Sequence, residues 1–341
     1  MIHPHNTSAQ AMSSQPMSSQ AMSSQAMSSQ TMPTQAISAQ TMPSLYGDVI
    51  ATFMGVAQAT DPQATDADVV VSGVPFDLAC SGRAGTRMGP NAIRQSTANL
   101  IWEGKRWPWD FALEERLKVC DAGNVNYAYG EPESLVDNLE THANRWLKAG
   151  KKMLTLGGDH YISLPLLRAH AREHGPLALI HFDAHTDTYE QGTRFDHGTI
   201  FHHALKEGLV VPEHSLQIGI RTSYDRHNHP YQVLDADWVN DNSAAAVLER
   251  IRARVGYHPA YITLDIDGLD PAYAPGTGTP VCGGMSTDLL LKVIRGLVGM
   301  ELVGMDVVEV NPAYDHGDIT SLAAATLGLE FLYTLAASKG A

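Results

Sequence analysis

The chain has 341 residues, enough for one large α/β unit or two ordinary domains. Its 23 basic residues stand against 37 acidic ones, a formal net charge of −14, which excludes the concentrated positive footprint of a nucleic-acid binder. The 44% hydrophobic share supports a sizeable core. No uninterrupted run of about 18 apolar residues marks a membrane span.

Composition places the first boundary. Residues 1–47 carry no Asp, Glu, Lys or Arg, and Met-Ser-Ser-Gln recurs around Met12, Met17, Met22 and Met27. Such a stretch holds too little apolar area to offset the entropy of ordering. Residues 1–46 are therefore expected to form a disordered low-complexity tail. The stretch lacks both the basic start and the apolar run of a signal peptide. Residues 47–341 are expected to form one folded domain, because no long Pro- or Gly-rich linker divides them.

In chain order, the patterns predict a strand at 68–74, a strand at 117–121 and a helix at 134–149. A strand at 152–156, a helix at 164–173, and strands at 177–182 and 215–219 follow. The remainder reads as a helix at 244–254, a strand at 260–266, a helix at 288–296, a strand at 301–308 and a helix at 320–338. That alternation is the signature of an α/β fold with a parallel sheet covered on both faces. Runs such as Val69-Val70-Val71 and Tyr261-Ile262-Thr263-Leu264 suit strands buried on both sides. Three cysteines, Cys80, Cys120 and Cys282, make neither a C-x-x-C pair nor an even framework. They argue for a reducing compartment, and a cytoplasmic location is expected.

Histidine is the compositional outlier, with 16 residues, all but His3 and His5 lying between His142 and His316. Polar residues close the predicted strands. One strand runs into Gly157-Gly158-Asp159-His160, another into Asp183-Ala184-His185-Thr186-Asp187, a third into Asp265-Ile266-Asp267, and the last ends at Glu309. In extended backbone, residues i, i+2 and i+4 share a side, so Asp183, His185 and Asp187 converge and Asp265 with Asp267 can meet them. His160 completes a set of four carboxylates and two imidazoles. Carboxylates crowded together repel unless protons or cations intervene, and two divalent ions balance four negative charges. The oxygen-rich, thiolate-free set favours manganese over zinc, with nickel, cobalt and iron chemically open. His181 is expected to pack or to support a ligand. Cys80 and Cys120 read as core thiols, and His202, His203, His227 and His229 as surface or helix-face residues. No phosphate-binding glycine loop and no G-x-S-x-G elbow occurs.

The three blocks Gly157–His160, Asp183–Asp187 and Asp265–Pro271 resemble the signatures of the ureohydrolase (arginase and agmatinase) family. Gly73–Asp77, Ser81–Gly85, Thr188-Tyr189, Phe195–Thr199 and Gly304–Val310 are similar to its bacterial agmatinase branch. The resemblance runs from about residue 66 to the C-terminus and implies a three-layer α/β/α sandwich on a mainly parallel eight-stranded sheet. It also implies two manganese ions per subunit and a homo-oligomer, a trimer or hexamer. By the same likeness, His160 and His185 each bind one metal, Asp183 and Asp265 bridge, and Asp187 and Asp267 complete one metal each. Asp187 would orient a water activated between the metals, Glu309 would hold the guanidinium, and His197 would shuttle a proton to the leaving amine. The implied activity is hydrolysis of agmatine to putrescine and urea, a step of polyamine biosynthesis. Guanidinobutyrate, guanidinopropionate, arginine and guanidine are the alternative substrates. The loop 188–196 would line the entrance, where Asp196 and Glu190 favour a distal ammonium and Arg194 opposes it.

Overall fold

The computed structural model describes residues 52–339. The expected tail, residues 1–46, lies outside the described residues. Eight strands build one sheet: β1 (Val69–Val74), β2 (Val119–Asn124), β3 (Lys152–Gly157), β4 (Ala178–Phe182), β5 (Leu216–Ile220), β6 (Gln232–Asp235), β7 (Ala260–Asp265) and β8 (Leu302–Val308). Their order is β2-β1-β3-β8-β7-β4-β5-β6, and every pairing is parallel.

Parallel pairing requires crossovers that place helices on the sheet faces, so the strands are buried twice over. Alternate strand residues divide accordingly. Val69, Leu154, Ile180, Ile262 and Met305 join a core with α1 (Gly89–Ser96), α6 (Ala244–Val255), α7 (Thr287–Arg295) and α8 (Ile319–Ser338). Val70, Met153, Leu179, Tyr261 and Val303 join a second core with α2 (Pro132–Lys148), α3 (Ser163–His174) and α4 (Ile200–Lys206). The result is the expected three-layer sandwich.

Four elements escape the sequence patterns: β6, α1, α4 and the short α5 (Ala236–Asp241). β6 is a four-residue edge strand, too short to show a period of two, and α1 opens on Gly89-Pro90, which reads as a turn. Elsewhere the predicted boundaries shift by one to three residues, as element ends fray.

Among the described residues, α8 is long and apolar enough to cross a membrane by length and composition, but its apolar window is 83% buried inside the protein. It also carries a buried charge. Glu330 accepts from Arg106 Nε at 3.0 Å, Arg295 Nη2 at 2.8 Å and Trp109 Nε1 at 2.8 Å. Burial disfavours this carboxylate's charge, yet Arg295 and the other donors hold its pKa below the usual glutamate value. Removing one member of a buried ion pair strands the rest. Glu330→Leu is expected to lower stability by about 3 kcal/mol in urea denaturation, the lower end for such losses. A midpoint equal to that of the parent protein would remove Glu330 as an anchor of α8.

Candidate metal centre

β3, β8, β7 and β4 lie side by side, and their carboxyl ends open on one crevice, where α/β sheets collect ligands. β3 passes through Gly158 into a 3-10 turn at His160–Ile162. Asp159 caps that turn by accepting from the Tyr161 N–H at 3.1 Å. Gly158 has no room for a side chain, since a Cβ there would run into the Phe76 carbonyl. Its own carbonyl accepts from the Glu309 N–H at 2.8 Å, tying the end of β3 to the end of β8. β7 closes on Asp265, whose side chain accepts from the Asp267 N–H at 2.8 Å and so caps the turn Ile266–Gly268.

The six expected ligands assemble as two groups. His160 Nδ1 stands 3.1 Å from Asp183 Oδ2, 3.0 Å from Asp187 Oδ2 and 3.4 Å from Asp265 Oδ2. His185 Nδ1 stands 3.3 Å from Asp183 Oδ1 and 3.2 Å from Asp267 Oδ2. Asp183 therefore straddles both, one oxygen toward each histidine. Asp265 faces the His160 group, and its other oxygen is taken by the Asp267 N–H. Bonds of about 2.1 Å to a divalent cation put neighbouring ligands of an octahedron about 3.0 Å apart. The measured separations sit near that edge.

Protonation tells the same story. Thr263 Oγ1 donates to Asp306 Oδ1 at 2.7 Å, so toward His160 Nε2, 2.8 Å away, it can only accept. The ring hydrogen of neutral His160 thus lies on Nε2. Nδ1 then presents a lone pair to three carboxylates, with no hydrogen-bond partner of its own. A cation resolves that arrangement; without one, a proton must. Burial opposes a charge on His160, yet Asp183, Asp187 and Asp265 push its pKa well above the usual imidazole value. His185 behaves alike: burial lowers it, but Asp183 and Asp267 hold it up at about 12. Burial and the neighbouring charges of Asp267 and Asp183 raise Asp265 well above the usual carboxylate range. Asp183 overcomes its own burial and falls well below that range, because His181, His160 and His185 surround it.

Left-handed backbone marks two of these positions. Asp187 and Glu309 adopt φ of 49° and 64°, a conformation that an Asp tolerates but that strains a Glu. Glu309 is fully buried. Its Oε1 accepts from the His160 N–H at 2.9 Å and faces His197 Nδ1 at 3.1 Å. Its Oε2 has no partner, and the missing side chain of Gly278 leaves space beside it. His197 Nε2 accepts from the Ser81 N–H at 3.2 Å and lies 2.7 Å from Ser81 Oγ, which leaves Nδ1 to donate to Glu309. Burial lowers the His197 pKa, but Glu309 outweighs it and raises the value to about 9.

Other expectations shift. Half-buried Asp196 also caps the turn that carries His197, its Oδ1 accepting from the Gly198 N–H at 2.9 Å. Ser81, which opens the Ser81–Gly85 stretch of the family resemblance but was given no role there, is the partner of His197. His229 is drawn inward, with Nε2 2.6 Å from Gln217 Oε1. Arg194 lies 3.6 Å from Glu133.

A family model, the Arginase family, matches residues 67–333. An agmatinase of Edwardsiella ictaluri is 60% identical over 278 residues, 82% of this chain and 91% of that protein. The crystal structure of a hypothetical agmatinase from Burkholderia thailandensis superposes with a TM-score of 0.83 at 47% identity. That match covers 87% of this chain and 93% of the other. Proclavaminate amidino hydrolase from Streptomyces clavuligerus follows at a TM-score of 0.81 and 39% identity, over 86% and 99%. With this sheet, this ligand cluster and these relatives, the chain belongs to the Arginase family.

Proposed function

We propose that the chain hydrolyses agmatine to putrescine and urea, using two manganese ions held by His160, Asp183, His185, Asp187, Asp265 and Asp267. One observation carries the reading. The two histidine–carboxylate groups sharing Asp183 lie beside Glu309, a buried carboxylate with one unpartnered oxygen. The donor set of carboxylates and imidazoles, without a thiolate, suits manganese. When bound, such a pair of cations supplies a water whose pKa is lowered from about 15.7 towards 7.

The chain's own residues do the rest. Glu309 Oε2 is free to take a guanidinium N–H in a charge-assisted bond, which fixes the carbon above the metal ligands. Asp187, at the edge of the crevice, can accept a hydrogen from the attacking water. With Nδ1–H held by Glu309, whose charge raises the affinity of the ring for a second proton, His197 can take that proton on Nε2 in place of the Ser81 N–H bond and pass it to the leaving amine. For the distal ammonium, the arginines nearby are already engaged: Arg194 faces Glu133, and Arg83 lies over the Tyr314 ring. Exposed Glu190 and half-buried Asp196 leave the entrance loop acidic. A guanidino acid is the second reading, favoured by the likeness to proclavaminate amidino hydrolase.

Urea release by the manganese-loaded enzyme decides between them: agmatine should exceed guanidinobutyrate, guanidinopropionate and arginine in kcat/KM, and failure to do so overturns the assignment. Glu309→Gln should keep both metals while kcat/KM falls about 100-fold or more, the scale for losing one partner of a buried charge pair. In that variant His197 loses the charge that raises its pKa while burial persists. The alkaline limb of kcat, where the acid loses its proton, should therefore move to lower pH; an unmoved limb detaches His197 from the step. Finally, the raised histidine pKa values mean that the metal-free protein holds protons near pH 7 that cations must displace. Calorimetric manganese binding should change enthalpy with the ionisation enthalpy of the buffer, and indifference to the buffer would contradict this electrostatic picture.

A further inference from the structure

Below the ligands, the sheet contains a line of polar side chains. Ser72, Thr155, Asp306, Thr263, His181 and Gln217 stand on six adjacent strands in matching register, each paired with the next. All are fully buried on the face covered by α2, α3 and α4. Polar groups in such a core are costly unless partnered, so their bonds reveal what the line supports.

Two branches emerge. Asp306 Oδ2 accepts from Ser163 Oγ and Tyr261 OH, both at 2.8 Å, and Oδ1 accepts from Thr263 Oγ1 at 2.7 Å. Thr263 is thereby turned to accept from His160 Nε2, which aims Nδ1 at the carboxylates. In the other branch, Gln217 Nε2 donates to Thr186 O at 2.6 Å and to His181 Nδ1 at 3.0 Å, and its Oε1 faces His229 Nε2 at 2.6 Å. Because His181 Nδ1 accepts, its Nε2 carries the hydrogen and donates to Asp183 Oδ2 at 2.7 Å. His181 lies near enough to His160 and Asp183 to be considered a ligand, but both of its nitrogens are already engaged. Asp183 and Asp265 follow His181 and Thr263 by two positions, on the same side of their strands.

Resting on the metal-centre reading above, we propose that Asp306–Thr263 and Gln217–His181 are positioning residues that orient the His160 ring and the Asp183 carboxylate before any cation arrives. Lost positioning partners of this kind weaken metal binding by about 10- to 100-fold.

The full-length metal-free protein, titrated with manganese alone, tests this by calorimetry and by the electron paramagnetic resonance spectrum of the coupled pair. Thr263→Val keeps the side-chain shape and removes the hydroxyl. It should raise a manganese Kd by about 10-fold or more, with Thr263→Ser restoring most of the loss. Gln217→Met should act in the same direction and replace the coupled-pair spectrum by that of isolated ions at equal loading. Should Thr263→Val fail to fold, Gln217→Met decides alone. Parent-like Kd values and spectra in Gln217→Met and in any folded Thr263→Val overturn the proposal. A parent protein that binds no pair of ions overturns the metal-centre reading itself, and the two failures are thus told apart.

Discussion

Crowded negative charge is the constraint around which this molecule is arranged. Asp183, Asp187, Asp265, Asp267 and Glu309 are all nearly or fully buried at one end of the sheet. Two like charges 4 Å apart repel by about 4 kcal/mol at an effective dielectric of 20, so the basin is unfavourable until positive charge enters it. His160 and His185 stand in by taking protons, and Asp183, ringed by His181, His160 and His185, is held ionised despite its burial. A fold that tolerates such a basin must supply rigid support, because any relaxation would let the carboxylates part.

That support comes from strand order. β8 lies between β3 and β7, and β4 follows β7, so segments distant in sequence finish side by side. Gly158 lets the β1 and β3 loops touch, and the Glu309 N–H bonded to the Gly158 carbonyl closes the gap to β8. The left-handed backbone at Asp187 and Glu309 turns those side chains inward where ordinary extension would carry them past. On the face opposite α2, α3 and α4, α8 is pinned by Glu330.

Much of this was legible because polar residues interrupt apolar runs at strand ends. Asp183-Ala184-His185-Thr186-Asp187 and Asp265-Ile266-Asp267 follow strands that are otherwise Leu, Ile, Val and Phe, and their spacing points to one spot, although the chain brings them there through the turn at Ile266–Gly268 and the left-handed Asp187 and not by continued extension. The eight-stranded sandwich followed from resemblance more than from pattern, since β6 and α1 leave no periodic trace. The capping bond of Asp196 was hidden for a physical reason: whether a loop carboxylate caps its own turn depends on backbone angles that composition does not encode. The pairing of Ser81 with His197 and the inward turn of His229 were hidden because their partners lie 116 and 12 positions away. The buried polar line was visible as single oddities, such as Thr155 or Thr263, but only the register reveals that they are neighbours.

The interleaved order of the sheet also governs assembly. β3 and β7 cannot be joined until β8, some 150 positions beyond β3, has been made and inserted between them. During synthesis, the half bearing His160 and the half bearing Asp265 therefore remain separate edges, each exposing unpaired backbone. A chain halted before residue 302 would carry all six metal ligands, five of them at the ends of the directly paired β4 and β7, with His160 on β3 left apart. The crevice is thus a late product of folding, completed by the strand that also delivers Glu309.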